Sequence, residues 1–231
     1  MIKNIIFDLG GVLLDISMEN AMRELGKIGF DMKAVMEKQK AMGGDGGSTM
    51  CEGVSAVGFL DDYSKGLIPT EEFMKMLQEN CQPGTTVEET ENAWNACLFT
   101  IPQHKMDMIR ELHKEYNIYM LSNTNDAHWK WIVENSFPDD VDPYTDFDKI
   151  FLSQEMHMAK PNADIFEQVL KEIGAKAEEC LFIDDTSKNT EVAAKMGFKT
   201  YTAAVSRFMP DGSFVKPEVE WCDVIGELVK G

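Results

Sequence analysis

Five short runs of β-branched and aromatic residues read as buried strands: residues 2–7, 118–121, 150–152, 180–183 and 198–201. Their uneven spacing is the feature that most restricts the fold. Helical stripes accompany the last four. Met106, Ile109, Leu112 and His113 share one face. Ile165, Phe166, Val169, Leu170 and Ile173 share another, with Pro161 suited to its start and Gly174 to its end. Val192, Ala193 and Met196 form a third, stopped by Gly197. Strands that alternate with helices predict a parallel, doubly wound α/β sheet, because parallel neighbours need a crossover. The gap between the first run and the second is far too long for one crossover helix. From residue 16 to 100 no strand stands out. Helical stripes fill it instead: Met22, Leu25 and Ile28, then Phe59, Leu60 and Tyr63, then Phe73, Met76 and Leu77. The organisation expected is therefore a Rossmann-like core of residues 1–15 and 101–231, interrupted by an inserted α-helical subdomain over 16–100. Much of the methionine lies in that insert and reads as adaptable core. The glycine-rich stretch 43–47 reads as a flexible tip; it lacks the Gly-Lys-Ser/Thr ending of a phosphate-cradling P-loop.

A chain of 231 residues with 44% hydrophobic and 27% charged residues suits one large domain or a core with an insert, and excludes global disorder. Forty acidic residues against 22 basic ones leave a net charge of −18. Such a surface argues against nucleic acid and anionic membranes as partners. Any phosphate site must then be positive locally, through a metal, a lysine or helix N-termini. The five cysteines, Cys51, Cys81, Cys97, Cys180 and Cys222, have no metal-ligand spacing and read as reduced thiols of a cytoplasmic protein. The apolar stretch 5–14 is broken by Asp8, Gly10 and Gly11, so neither a signal peptide nor a membrane span is expected.

Polar groups close three of the strands and follow a fourth. Asp8 follows Ile5-Ile6-Phe7, Ser122-Asn123-Thr124-Asn125 follows Tyr119-Met120-Leu121, and Asp184-Asp185 follows Leu181-Phe182-Ile183. Lys160-Pro161 lies in the loop after the third strand. In open α/β sheets ligands bind outside the carboxyl ends of the strands. Singly, each has a bland reading as a turn, a helix cap or a loop residue. Adjacent carboxylates repel, however, and are tolerated mostly beside a metal or another cation, so Asp184-Asp185 is the strongest single signal.

The order of these segments resembles the haloacid dehalogenase-like hydrolase superfamily, whose members are mostly phosphatases. Ile5-Ile6-Phe7-Asp8-Leu9-Gly10-Gly11-Val12-Leu13 is similar to the first family motif and Leu121-Ser122-Asn123-Thr124-Asn125 to the second. Lys160-Pro161 with Asp164-Ile165-Phe166 is similar to the third, and Phe182-Ile183-Asp184-Asp185-Thr186-Ser187-Lys188-Asn189 to the fourth. The helical insert sits where the family places its mobile cap. The second and third motifs look closest to the subgroup containing bacterial glucose-1-phosphate phosphatase.

The resemblance implies a Mg²⁺-dependent phosphatase of a small phosphorylated metabolite, a sugar phosphate by preference, working through an aspartyl-phosphate on Asp8. It implies Mg²⁺ held by the Asp8 carboxylate, the Gly10 carbonyl and Asp185, with Asp184 helping directly or through water. The Ser122 hydroxyl and the Asn123 amide would bind phosphoryl oxygens, Lys160 would neutralise charge on Asp8 and the phosphate, and Asn189 would orient the lysine or the acidic pair. One departure matters. The family's phosphatases usually carry a general acid–base Asp two residues after the nucleophile, where this chain has Gly10. Such help is worth about 10²–10⁴-fold. Asp15 and His157 are possible substitutes, although a hinge cap and a loop residue are the blander readings; Asn125 and His128 read as helix-start residues rather than catalysts. Two alternatives stand beside the phosphatase. A 2-haloacid dehalogenase needs no metal and typically has Tyr-Gly after its nucleophile, and the acidic pair argues against it. A non-catalytic phosphometabolite-binding protein rests on Gly10 alone.

Overall fold

The computed structural model describes residues 1–31, 35, 49–51, 54–55 and 58–230. The strands are β1 (Asn4–Phe7), β2 (Thr49–Cys51), β3 (Val54–Ser55), β4 (Asn117–Ser122), β5 (Lys149–Leu152), β6 (Cys180–Asp184), β7 (Lys199–Thr202), β8 (Arg207–Phe208) and β9 (Phe214–Val215). The helices are α1 (Met18–Lys27), α2 (Gly58–Ser64), α3 (Thr70–Gln78), α4 (Val87–Asn95), α5 (Gln103–Leu112), α6 (Asp126–Asn135), α7 (Pro143–Asp146), α8 (Ser153–Met156), α9 (Ala163–Ile173), α10 (Ser187–Lys195) and α11 (Trp221–Leu228).

Five strands form one parallel sheet in the order β5–β4–β1–β6–β7. They are the five runs expected from the sequence, to within a residue or two. Alternate side chains serve opposite faces. Ile5, Phe7, Met120, Leu181 and Ile183 join α5 and α11 through Met106, Ile109, Trp221 and Ile225. Ile6, Leu121, Phe151 and Phe182 join α9 and α10 through Ile165, Phe166, Val169 and Ala193. Cover on both faces is what a parallel sheet requires, and it explains why these strands read as unbroken apolar runs. Each fully buried large side chain contributes roughly 1.5–3 kcal/mol.

The chain winds from β1 outward to β4 and β5, then returns to the other side of β1 for β6 and β7. The winding therefore reverses between β1 and β6, and the crevice at the carboxyl ends of those two strands is the predicted ligand position. Phe7 is in register with Met120 on one side and Ile183 on the other. That register sets Asp8 level with Asp184, and Ser122 one residue further along on the other side.

Helices α1 to α4 bury a separate apolar cluster: Leu25, Phe59, Leu60, Tyr63, Phe73, Leu77 and Trp94. Tyr63 stacks on Phe73 with centroids 3.8 Å apart, and Phe73 meets the edge of Trp94 at 5.1 Å. The two connections to the sheet run side by side: Ile16 and Leu98 form an antiparallel bridge, and Ser17 N donates to Cys97 O at 2.9 Å.

Some expectations need correction. The segment 16–100 is not free of strands, because β2 and β3 pair antiparallel within it; three- and two-residue strands are too short for periodicity to reveal. The stretch 43–47 lies outside the described residues. Pro161 does not open α9, which starts at Ala163 with Asn162 at its N-cap. Gly174 does end it, in a left-handed conformation with φ 65°. The sequence reading passed over the hairpin β8–β9 and α11. Among the described residues no helix is long and apolar enough to cross a membrane.

Candidate active site

Asp8 emerges from β1 with its backbone N–H donating to Ile183 O at 2.8 Å. Its Oδ1 accepts from Leu9 N at 2.7 Å and lies 2.9 Å from Lys160 Nζ. Its Oδ2 has no hydrogen-bond partner among the described residues. Asp8, Asp184 and Asp185 each offer an oxygen within 4.8 Å of the others. Three carboxylates thus share one crevice with one buried ammonium.

That ammonium is fully engaged. Lys160, 2% exposed, donates to Leu121 O at 2.9 Å and to Asp184 Oδ2 at 2.6 Å, and pairs with Asp8. Three protons meet three acceptors. Burial alone pushes its pKa down, but Asp184 and Asp8 overrule burial and hold it above the ordinary value. The Lys160 backbone is clamped as well: its N–H donates to Asn123 Oδ1 at 2.9 Å, and Asn123 Nδ2 donates to its carbonyl at 2.8 Å. The second and third sequence segments are joined by that amide.

Asp184 is fully buried. Oδ1 accepts from Thr186 N at 2.8 Å and Asn189 Nδ2 at 2.9 Å, while Oδ2 accepts from Lys160 and from Asn189 at 3.1 Å. A carboxylate has about four acceptor positions, and all are occupied. Asp184 therefore brings charge and a grip on Lys160 to the crevice rather than a free oxygen. Asp185 differs: Oδ1 has only a long bond from Thr186 Oγ1 at 3.3 Å, and Oδ2 has none among the described residues. Gly11 explains the closeness of Asp185. Its φ is +74°, and a Cβ there would stand 2.5 Å from Asp185 Oδ2. Only glycine allows both the left-handed turn and that approach.

Burial first, and then the neighbouring carboxylates, raise the pKa of Asp8 to about 8, against the opposing pull of Lys160. Burial and Asp184 raise Asp185 to about 6. One ammonium against three carboxylates leaves the crevice short of positive charge. Asp8 Oδ2 and Asp185 Oδ2 stay open there, and the carbonyl of Gly10, two residues past Asp8, accepts no hydrogen bond among the described residues. Clustered carboxylates with open oxygens suit a divalent cation such as Mg²⁺.

Ser122 ends β4, buried, with its hydroxyl unpartnered among the described residues, and the Asn123 N–H is likewise free. Both precede α6, whose N-cap is Asn125, accepting from His128 N at 3.0 Å. Asn125 and His128 are helix-start residues, as read from the sequence. His157 Nδ1 lies 2.8 Å from Lys65 O. Asp15 lies close enough to Lys105 to support its charge.

Residues 2–197 match the family model for haloacid dehalogenase-like hydrolases. This chain belongs to that hydrolase family. Relatives of the same haloacid dehalogenase-like type cover nearly the whole chain. A D-ribitol-5-phosphate phosphatase of Bacteroides thetaiotaomicron is 32% identical over 203 residues, 87% of this chain and 91% of that protein. A family enzyme from the same organism, solved in complex with magnesium and inorganic phosphate, is 36% identical with a TM-score of 0.75, covering 91% of this chain and 98% of that one. A predicted hydrolase of the family from Porphyromonas gingivalis superposes with a TM-score of 0.78 at 29% identity, covering 100% and 99%.

The sequence reading of this family member missed two side chains beneath the crevice. Lys105 and Trp221 are both buried and both donate to Val12 O. A lysine inside the α5 stripe, beside Met106 and Ile109, was the only local signal.

Proposed function

We propose that this chain is a Mg²⁺-dependent phosphatase of a small phosphorylated polyol or sugar, with Asp8 as the nucleophile. The observation that carries the proposal is the asymmetry of the Asp8 carboxylate: Oδ1 is pinned by Leu9 N and Lys160, while Oδ2 is free in a crevice short of positive charge. An oxygen held in this way can attack phosphorus without the carboxylate rotating. The relative that acts on D-ribitol-5-phosphate and the neighbour solved with magnesium and phosphate support the same reading.

In this proposal Asp185, the Gly10 carbonyl and the Oδ1 side of the Asp8 carboxylate would hold Mg²⁺, leaving Oδ2 for phosphorus; the cation would supply charge that keeps Asp8 ionised and offsets the phosphoryl oxygens. The Ser122 hydroxyl and the Asn123 N–H, free and next to the start of α6, bind phosphoryl oxygens with help from the helix dipole. Attack by Asp8 Oδ2 forms the new P–O bond as the ester oxygen leaves, giving an aspartyl-phosphate that water hydrolyses to restore Asp8. Lys160, fixed by Asp184 and Leu121 O, shifts a hydrogen bond from Asp8 to the phosphoryl group as charge moves there. Asn189 keeps Asp184 oriented for that purpose. Residues 16–100 act as the cap over the crevice, hinged where Ile16 and Leu98 pair. A 2-haloacid dehalogenase would have no use for the open acceptors of Asp185 and Gly10. A purely binding protein would have no need of the fixed Asp8.

The test is a panel of phosphate esters and 2-chloroacids, with Mg²⁺ or with EDTA, on the native protein and on Asp8→Asn. The expected result is Mg²⁺-dependent release of phosphate, D-ribitol-5-phosphate and sugar phosphates among the substrates. Acid-quenched native enzyme should carry a phosphoryl group on the peptide containing Asp8. Turnover by Asp8→Asn near the native rate would remove Asp8 as nucleophile.

A further inference from the structure

The loop that carries Asp8 and Gly10 is gripped from beneath at one carbonyl. Val12 O accepts from Lys105 Nζ at 2.7 Å and from Trp221 Nε1 at 3.0 Å, so both of its lone pairs are filled. The donors lie 93 and 209 residues away in sequence. Both are buried, Lys105 at 4% exposure and Trp221 at 2%. The Trp221 ring also packs on Phe7, with centroids 4.9 Å apart. One tryptophan therefore touches the residue before Asp8 and the fourth residue after it. Glu220, the N-cap of α11, stands 3.7 Å from Lys105 Nζ and supports its charge against the burial that lowers its pKa.

This grip bears on the crevice because the loop is short and internally bonded. Gly11 N donates to Leu14 O at 2.9 Å, and Leu13 N and Leu14 N both donate to Leu9 O, at 2.9 and 3.0 Å. Those bonds turn the Leu9 and Leu14 carbonyls into the loop and leave the Gly10 carbonyl free. If the Val12 peptide swung, a buried ammonium and a buried indole N–H would lose their acceptor, which is the costly way to lose a hydrogen bond. With Phe7 and Val12 both held, the peptides between them have little freedom.

We propose that Lys105 and Trp221 are positioning residues that set the Gly10 carbonyl and Asp8 for the cation, and that α11 is thereby part of the active-site architecture. The inference rests on the proposed assignment of Gly10 and Asp8 as metal ligands. It also gives a role to a segment beyond residue 197, where the family match ends.

Trp221→Phe removes the indole N–H and leaves an aromatic ring against Phe7; Lys105→Met removes the ammonium and keeps most of the stem. Mg²⁺ affinity is measured by titration calorimetry on the full-length protein without substrate, beside thermal melts and kcat and KM. Each variant should weaken Mg²⁺ binding by about 3- to 10-fold, the worth of one hydrogen bond, and lower kcat more than it raises KM. Lys105→Arg should recover most of the affinity. Because both donors act on one oxygen, the double variant should depart from the product of the two single effects. Ile225→Val, also in α11 and also buried, should lower the melting temperature and leave Mg²⁺ affinity alone. Affinities within twofold of native in both Trp221→Phe and Lys105→Met would overturn the inference, as would an equal loss in Ile225→Val. If the native protein itself binds no Mg²⁺ at millimolar concentration, the metal assignment fails and the inference falls with it; that outcome is recognised in the native protein rather than in the variants.

Discussion

Gly11→Ala isolates the geometric demand of the acidic crevice in a single methyl group. At φ +74° an L-residue costs about 1–2 kcal/mol in backbone strain alone. The new methyl would also stand 2.5 Å from Asp185 Oδ2 and 2.7 Å from its Cγ. Comfortable contact between carbon atoms begins at about 3.5 Å, so the carboxylate must retreat by roughly 1 Å. Ligand sets tolerate displacements of about 0.5 Å. The expected result is a melting temperature lower by about 2–8 °C, from 2–4 °C per kcal/mol in a chain of this size, with Mg²⁺ affinity down by about 10- to 100-fold. Gly174→Ala is the control. It too has positive φ, +65°, at the end of α9, but no atom lies within 4 Å of its added Cβ. It should lose about 1–2 kcal/mol of stability from the backbone alone and bind Mg²⁺ as the native protein does. Calorimetry and thermal melts on the two variants decide the matter. Native Mg²⁺ affinity in Gly11→Ala, or equal losses in both variants, would refute the placement of Asp185 at the metal.

Gly10→Asp should restore a proton donor two residues past the nucleophile, raising turnover of alkyl phosphates by up to about 10²-fold and that of nitrophenyl phosphate much less. The new Cβ would meet only Ile16, at 3.3 Å from Cδ1, so one side chain must shift. A series of phosphates with graded leaving-group pKa tests this, and parallel slopes in the two proteins would count against it. His128 gives a pH prediction. It is buried and stacked on Trp94 at 4.8 Å, and burial pushes its pKa down to about 4 from an ordinary 6.5. The unfolded chain binds the proton more readily, so His128 contributes stability above pH 6.5 that is lost as pH falls towards 4, about 3 kcal/mol in all. Urea unfolding of native protein and His128→Gln at pH 7 and pH 4.5 should give a flatter dependence in the variant; identical slopes would exclude His128 as the source.

Much of the site was legible because strand patterns are local. Ile5-Ile6-Phe7 and Leu181-Phe182-Ile183 read as buried strands from a few residues each. Parallel pairing then obliges their carboxyl ends, with Asp8 and Asp184-Asp185, to meet on one edge, and the crossover rules leave little choice of topology. The four ordered segments resemble the hydrolase family by sequence alone. Boundaries such as the start of α9 at Ala163 rather than Pro161, and the short hairpin within 49–55, escaped because caps and two-residue strands carry little periodic signal.

What each polar atom does was decided only by the tertiary structure. Asp184 and Asp185 are adjacent and chemically identical in sequence. Packing fills all four acceptor positions of the first with Thr186, Asn189 and Lys160, and leaves an oxygen of the second open. Nothing in the sequence around Gly11 shows its approach to Asp185, where an added Cβ would stand 2.5 Å from Oδ2. Lys105 and Trp221 could not be linked to Val12 from sequence at all, because the chain between them is long and hydrogen bonds leave no periodic trace along it. Hydrophobic burial depends on residue type and spacing, which one sequence displays. Hydrogen-bond partnership in a buried crevice depends on which distant segments the fold brings within about 3 Å, and only the assembled sheet determines that.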